Sequence, residues 1–322
     1  MARALVAKHH QVIGLTRSRE KERVLRQAGA TAVIADALNA EDLAQAVRSS
    51  SPDCVIDLLT AIPKNGPTRT SHMKATNELR IRGTANLVRA AVAAGAKRIV
   101  GESMIFAYGF GDHGKAAKTE DDALQPREGN TGLQKMVDAT RSLENQLLEA
   151  DKSGLIEAIP LRYGLFYGAE SASTVFMLRM LKKRLLPTVS GAKGINSWIH
   201  LDDAVSATIA AMERGQPGEI YSIVDDHPVS FNDWFSYAAT EMHAKQPLSI
   251  PLWLLRLFVP YVAVCFSTRL RVSNRKAKSD LNWRPQFPSY LEGVSHVIAE
   301  CERKEGIMLL RKRERARRPT TK

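Results

Sequence analysis

Short runs of β-branched and apolar residues alternate, through the first half of the chain, with stretches whose apolar positions recur every three or four residues. That alternation predicts a parallel sheet with helices on both faces. QVIGLTR (11–17), TAVIAD (31–36), CVIDLLT (54–60), RIVGESMI (98–105) and IEAIPLRYG (156–164) read as strands. Between them, Ser18 is placed to cap a helix that Gly29 ends, and Asn39 to cap one carrying Leu43 and Val47 on a single face. Leu87, Val88, Ala91 and Val92 repeat at helical spacing, and Gly95 supplies the left-handed stop. Ahead of residue 11 stands only MARALVAKHH, which does not read as a strand, and the first glycine, Gly14, lies inside a run.

After about residue 165 the pattern changes to helices with a few short strands, beginning with STVFMLRMLKKR. This predicts a smaller second lobe. SWIHLDDAVSATIAAMERG reads as a short strand and then a helix with Val205, Ile209 and Met212 inward and Gly215 at its end. EIYSIV reads as a further strand, so the first sheet can regain a strand from 217–226. The boundaries drawn are 1–168 for the sheet domain, 169–308 for the second lobe and 309–322 for a basic, disordered tail. IPLWLLRLFVPYVAVCF (250–266) is the most apolar stretch. Arg256 and Pro260 interrupt it and it falls short of the roughly 20 apolar residues of a spanning helix, so it is read as a buried or partner-facing helix.

The formal charge of +12 raises nucleic acid as a partner, but much of the excess lies in RKRERARRPTTK at the end, with seven basic residues against one acid. No zinc-finger spacing, helix-turn-helix signal or aromatic-basic motif accompanies it, so specific nucleic-acid binding is not expected. Cys54, Cys265 and Cys301 lie too far apart for a CxxC motif and suit a reducing compartment, with the cytoplasm as the default. No His/Cys/carboxylate group has metal-ligand spacing.

Five segments in order, GLTRS, ATNELRIRGTANLVRAA, IPLRYGLFYG, SWIHLDDAVSA and RVSNRKAKSDLNWRPQFPSYLEG, resemble the NAD-dependent epimerase/dehydratase group of the extended short-chain dehydrogenase/reductase superfamily. The resemblance covers most of the chain. It implies an α/β fold, a doubly wound parallel (Rossmann-like) sheet, here without its first strand and glycine-rich loop, with a smaller C-terminal substrate lobe. It also implies a nicotinamide cofactor and a homodimer. Arg17 would then face the adenosine ribose, where a guanidinium pairs with a 2′-phosphate, so NADP is expected over NAD, and Ser18 would add a hydroxyl. The alternative reading is that Arg17 and Arg19 are loop arginines on a basic surface. Asp36 and Ala37 match the adenine edge, although Asp36 can instead cap the next helix; Thr60 and Ala61 match small residues near the cofactor's ribose and phosphates, and Asn77 matches a family asparagine.

Activity in this superfamily uses Ser, Tyr and Lys, the tyrosinate moving the proton and the lysine lowering its pKa. Ser103 stands where the serine is expected, at the end of the fifth strand, a place that also suits a structural serine. The Tyr-xxx-Lys pair is missing: its positions fall on Lys135 and Ala139, and no tyrosine lies between Tyr108 and Tyr163. Tyr108, Tyr163 and Lys135 are the replacement candidates, with packing or cofactor stacking as the alternative role of the two tyrosines. His200 is read as orienting a loop, and Asp202 and Asp203 as helix N-terminal residues.

A central first strand that is missing leaves its two neighbours with open edges, and each buried orphan backbone group costs about 1 to 3 kcal/mol. Two outcomes are expected: the protein starts upstream of this reading frame, or the second and fourth strands close up and the phosphate cradle is lost. The function read from the sequence is an NAD(P)-dependent epimerase/dehydratase-like oxidoreductase. Its substrate would be a small carbonyl, alcohol or nucleotide-sugar-like compound. The alternatives are a noncatalytic NADP(H)-binding sensor and an inactive fragment.

Overall fold

A computed structural model describes residues 1–125 and 131–317, with 305–317 described by their backbone alone. The chain opens with helix α1 (Ala2–Ala7) and then alternates β1 (Ile13–Thr16), α2 (Arg19–Gln27), β2 (Thr31–Ile34), α3 (Ala40–Ser50) and β3 (Cys54–Asp57). The expected caps form: Ser18 Oγ accepts from the Lys21 N–H, and Asn39 Oδ1 from the Asp42 N–H. These bonds satisfy N–H groups that the first turn of a helix leaves free. α4 (Lys74–Glu78) runs through a π-helical turn (Leu79–Gly83) into α5 (Thr84–Ala93), and β4 (Arg98–Met104), α6 (Gly132–Lys152) and β5 (Glu157–Tyr163) complete the first half.

The second half carries β6 (Leu165–Tyr167), α7 (Ala172–Lys182), β7 (Thr188–Ser190), β8 (Ile195–Asn196), β9 (Trp198–His200), α8 (Leu201–Arg214) and β10 (Tyr221–Ile223). It continues through α9 (Phe231–Glu241), β11 (Ser249–Pro251), α10 (Leu252–Phe258), α11 (Pro260–Ser267), β12 (Arg269–Leu270), α12 (Arg275–Asp280) and α13 (Tyr290–Arg317). Residues 309–317, part of the segment read as a disordered tail, have helical backbone continuous with α13, and 318–322 lie outside the described residues.

The strands form an all-parallel sheet in the order β10-β5-β4-β3, and β1 pairs in parallel with β2 in a separate two-stranded sheet. The segment 217–226 thus supplies β10, paired to β5 from Tyr221↔Leu161 to Ile223↔Tyr163. Closure of the second strand on the fourth does not occur. β1 pairs only with β2 and β3 only with β4, so each keeps one edge without a strand partner among the described residues. Leu15, Ile34 and Leu58 around these edges remain exposed.

One face of the four-stranded sheet is covered by α3, α5 and α6, through Leu43, Val47, Leu87, Leu143 and Leu147 against Ile99. α6 sits close because position 101 is glycine. A Cβ there would lie 2.3 Å from Leu147 Cδ1, well inside any real contact. The other face packs on α8. The inward side of α8 is set by Ala204, Ala207 and Ala211, while Val205 and Met212, expected inward, are half-buried. Small side chains let helix and strands approach, and alanines carry little weight in a hydrophobic pattern. The second lobe has its own core around Trp198, Trp234, Phe235 and Phe266. At the junction Gly164 lies against the 197–198 backbone, where a Cβ would come within 2.8 Å of the Ser197 carbonyl oxygen.

Candidate functional site

At the tip of β1 the backbone turns sharply, because Thr16 Oγ1 accepts the Ser18 N–H at 3.1 Å while Ser18 Oγ caps α2. Arg17, at the bend, is exposed and has no ion-pair partner among the described residues. At the end of β2 the Asp36 carboxylate accepts the Leu38 N–H at 3.0 Å, and the Asp36 N–H goes to Asp42 at 2.9 Å. Asp36 therefore shapes the entry to α3 and leaves its second carboxylate oxygen over. Ala37 is buried, its carbonyl held by Asn86 Nδ2 at 2.9 Å. After β3, Thr60 is exposed and the Ala61 N–H donates to Thr76 Oγ1 at 3.1 Å. Asn77 stands one residue further along the same helix, with its Oδ1 buried and unpartnered. An orphaned buried acceptor is costly, so this amide suits a donor from a bound molecule.

These residues fit the two ends of a dinucleotide better than its middle. The Arg17 guanidinium at the tip of β1 is open to solvent, and the buried, unpaired Asn77 carbonyl is an acceptor that a bound donor could meet. A glycine-rich turn leading a central strand into a helix N-terminus, the usual pyrophosphate seat, is absent from the described residues.

The four candidate catalytic side chains do not converge. Ser103 is fully buried and donates to Glu144 at 2.5 Å. Glu144 also receives both arms of Arg162, at 2.9 and 2.8 Å. Arg162 in turn lies over the Tyr108 ring, 4.8 Å from its centroid, and the Tyr108 hydroxyl donates to the Thr119 carbonyl at 2.6 Å. Tyr163 shares a 2.6 Å hydrogen bond with Thr208, on the face packed against α8. Burial pushes both phenols above their ordinary pKa, so neither is readily ionised. Lys135 is exposed on the first turn of α6.

The sequence reading passed over Glu102 and Arg80. Side chains alternate along β4, so Glu102 points to the opposite face from Ser103. It is half-buried at the carboxyl end of the strand, one residue beyond the last pairing with β3. Burial raises its carboxyl to about 7, against the pull of the Arg80 charge and with a push from Asp57. Arg80 is buried in the π-helical turn, where it donates to Thr140 at 3.0 Å. Single π turns recur at functional sites, because the extra residue re-aims a side chain. The available signals were a carboxylate, Glu102, that follows the apolar run Ile99–Gly101 and the arginine Arg80 between the apolar residues Leu79 and Ile81.

Beyond β4 lies a cavity of about 340 Å³ lined by Gly109, Phe110, Gln125, Thr131, Gln134 and Arg141. At the lobe junction the fold also gathers His200, Asp202 and His296, whose ligand-type atoms lie within 4.8 Å of one another. His200 Nδ1 accepts the Asp202 N–H at 3.1 Å, so in the neutral ring Nε2 carries the proton and donates to His296 Nδ1 at 3.4 Å. Burial, aided by His296, lowers His200 to about 4. This is a hydrogen-bonded pair that fixes the start of α8, the orienting role read for His200. Asp203 holds the loop between α12 and α13 by accepting the Gln286 and Phe287 N–H groups at 2.6 and 3.0 Å.

The family model of the NAD dependent epimerase/dehydratase family matches residues 1–223. A 3-diazoavenalumate denitrifying reductase from a Streptomyces species is 33% identical over 301 residues, which is 90% of this chain and 93% of that protein. A UDP-glucose 4-epimerase from Vibrio cholerae is 25% identical over 218 residues, 65% of this chain and 64% of the epimerase. Among solved structures, the dTDP-glucose 4,6-dehydratase DesIV from Streptomyces venezuelae, with NAD bound, superposes with a TM-score of 0.75 at 18% identity, covering 94% of this chain and 93% of that one. The UDP-glucose 4-epimerase of Thermotoga maritima does so with a TM-score of 0.75 at 20% identity, covering 94% of each chain. The α/β fold with its parallel sheet is thus shared with these structures, and the chain belongs to the NAD dependent epimerase/dehydratase family.

Proposed function

We propose that the protein is an NADP(H)-dependent reductase of a small organic substrate, with Glu102 as its proton donor in place of the missing Tyr-xxx-Lys pair. The observation that carries the reading is the half-buried Glu102 carboxyl at the carboxyl end of β4, one residue past the last pairing with β3, where burial favours its protonated form. A group near neutrality can both hold and release a proton at working pH. When bound, the nicotinamide supplies the hydride. Glu102 gives its proton to the substrate oxygen or nitrogen, and the positive charge of Arg80 stabilises the carboxylate that remains. A reductase rather than a sugar epimerase is supported by the near full-length relative, which is named as a reductase. Three free cysteines suit work in the reducing cytoplasm.

Arg17 would hold the 2′-phosphate of NADP, and Asn77 with Ala61 the far end of the cofactor. Among the described residues the affinity rests on those ends. NADPH titration by fluorescence is expected to give a Kd on the order of 100 µM or weaker. Arg17→Ala is expected to remove roughly tenfold or more of the preference over NADH. Micromolar binding, or an unchanged preference, would refute this assignment. The function itself is tested by NADPH oxidation, at millimolar cofactor, against carbonyl and aryl-diazonium compounds. Saturable binding with no turnover would return the noncatalytic sensor reading.

A further inference from the structure

Between Glu170 and Asp202, and again between Glu241 and Asp280, the chain contains no acidic residue. The fold lays these two stretches side by side. β7 and β11 pair in parallel from Thr188↔Ser249 to Ser190↔Pro251, the Thr188 N–H reaches the Leu248 carbonyl at 2.9 Å, and Arg184 Nε reaches the Gln246 carbonyl at 2.9 Å. α10 follows β11 directly and buries Leu255 alone. Leu185, Leu248, Trp253, Leu257 and Phe258, from this one region, are between 54% and 70% exposed. Around them Lys182, Lys183, Arg184, Lys245 and Arg256 are exposed too. Scattered apolar residues on a surface need no explanation, but this many large ones together in an acid-free setting mark a contact surface.

We infer that this face docks the protein on a membrane surface rich in anionic lipid, with Trp253, Leu257 and Phe258 entering the headgroup–acyl boundary and the basic side chains meeting lipid phosphates. A short helix with an aromatic-apolar face and flanking cations is the chemistry that holds a protein in that layer without crossing it. No described helix is long and apolar enough to cross a membrane. Charge decides between a bilayer and a second copy of the chain. A two-fold contact sets the same patch against itself. Cations would then meet cations, with no carboxylate from either stretch to answer them. An anionic leaflet answers both the charge and the apolar surface.

The protein carries its own probe, since Trp198, Trp234 and Trp283 are buried and only Trp253 faces water. Vesicles of phosphatidylcholine, alone or with about 30% phosphatidylserine, are mixed with the full chain and followed by co-sedimentation and tryptophan emission. Binding with a blue shift is expected for the anionic vesicles only, with release by about 0.5 M NaCl. Leu257→Ser with Phe258→Ser, and separately Lys182→Glu with Lys183→Glu, are each expected to weaken binding about tenfold or more. Trp253→Phe keeps binding and loses the shift. Failure to sediment with anionic vesicles, or sedimentation that either double variant leaves unchanged, overturns the proposal. So does a lipid-free dimer that Leu257→Ser with Phe258→Ser dissolves, which would assign the face to a second copy.

Discussion

Arg162→Ala is expected to cost about 3 to 5 kcal/mol of stability, enough to unfold a large fraction of an ordinary domain. Arg162 and Glu144 are each only 3% exposed and joined by two parallel bonds. Truncating the arginine leaves a buried carboxylate whose remaining partner is the Ser103 hydroxyl. The size of the effect comes from that stranded charge and not from the net worth of the pair, which desolvation largely cancels. Arg162→Met combined with Glu144→Leu should therefore recover most of the loss. Ser103→Ala removes one bond to a charged group and should cost about 1.5 to 3 kcal/mol, while the rate per folded molecule stays unchanged. Urea unfolding followed by circular dichroism measures all three. A loss below about 1 kcal/mol in Arg162→Ala, or a collapse of turnover in Ser103→Ala at full folding, would show that this network belongs to the chemistry.

Glu102→Gln is expected to lower kcat/KM about 10² to 10⁴-fold, the contribution of a positioned proton donor. Gln keeps the shape and loses the transferable proton. In the native enzyme the rate should fall as pH rises through about 7, because the donor is spent as carboxylate above that point. The residual rate of the variant should be flat across the same interval. Stability gives a second readout with the same sign. The ordinary carboxyl value is 4.5 and the folded value about 7, so between them the folded state holds a proton that the unfolded state has released. Unfolding then releases a proton, and stability falls as pH climbs through that window, becoming level above it. Glu102→Gln should remove this share of the slope. Asp57, Asp203 and Asp225 are also raised by burial, so the informative quantity is the difference between the two proteins. A pH–rate profile unchanged in Glu102→Gln would end the assignment.

The strands β4 and β5 were legible because a buried parallel strand writes a continuous apolar run, and both predicted caps formed because Ser18 and Asn39 precede helices directly. The inward side of α8 was less legible, since alanines pack there by being small. The site was read with less success for a different reason. Sequence places Ser103, Tyr108 and Tyr163 at strand ends, where ligands bind, but period-two alternation and local packing decide which way each side chain turns. Ser103 turns to Glu144, Tyr163 to Thr208, and it is Glu102, one residue away, that turns to the other face. The partners of these groups come from other elements, Glu144 standing 41 residues from Ser103 and Thr208 45 from Tyr163, separations that no spacing rule reports.

The break in hydrogen bonding between the β1–β2 ribbon and the four-stranded sheet has a kinetic corollary. A ribbon joined to its neighbours by side chains and tethers alone can detach as a separate cooperative unit, below the free energy of global unfolding. Deuterium should enter the amides of Ile13–Thr16 and Thr31–Ile34 well before those of β4 and β5. An adenosine moiety resting on Arg17 and Asp36 would act as a clasp, slowing that uptake without touching the rest of the molecule.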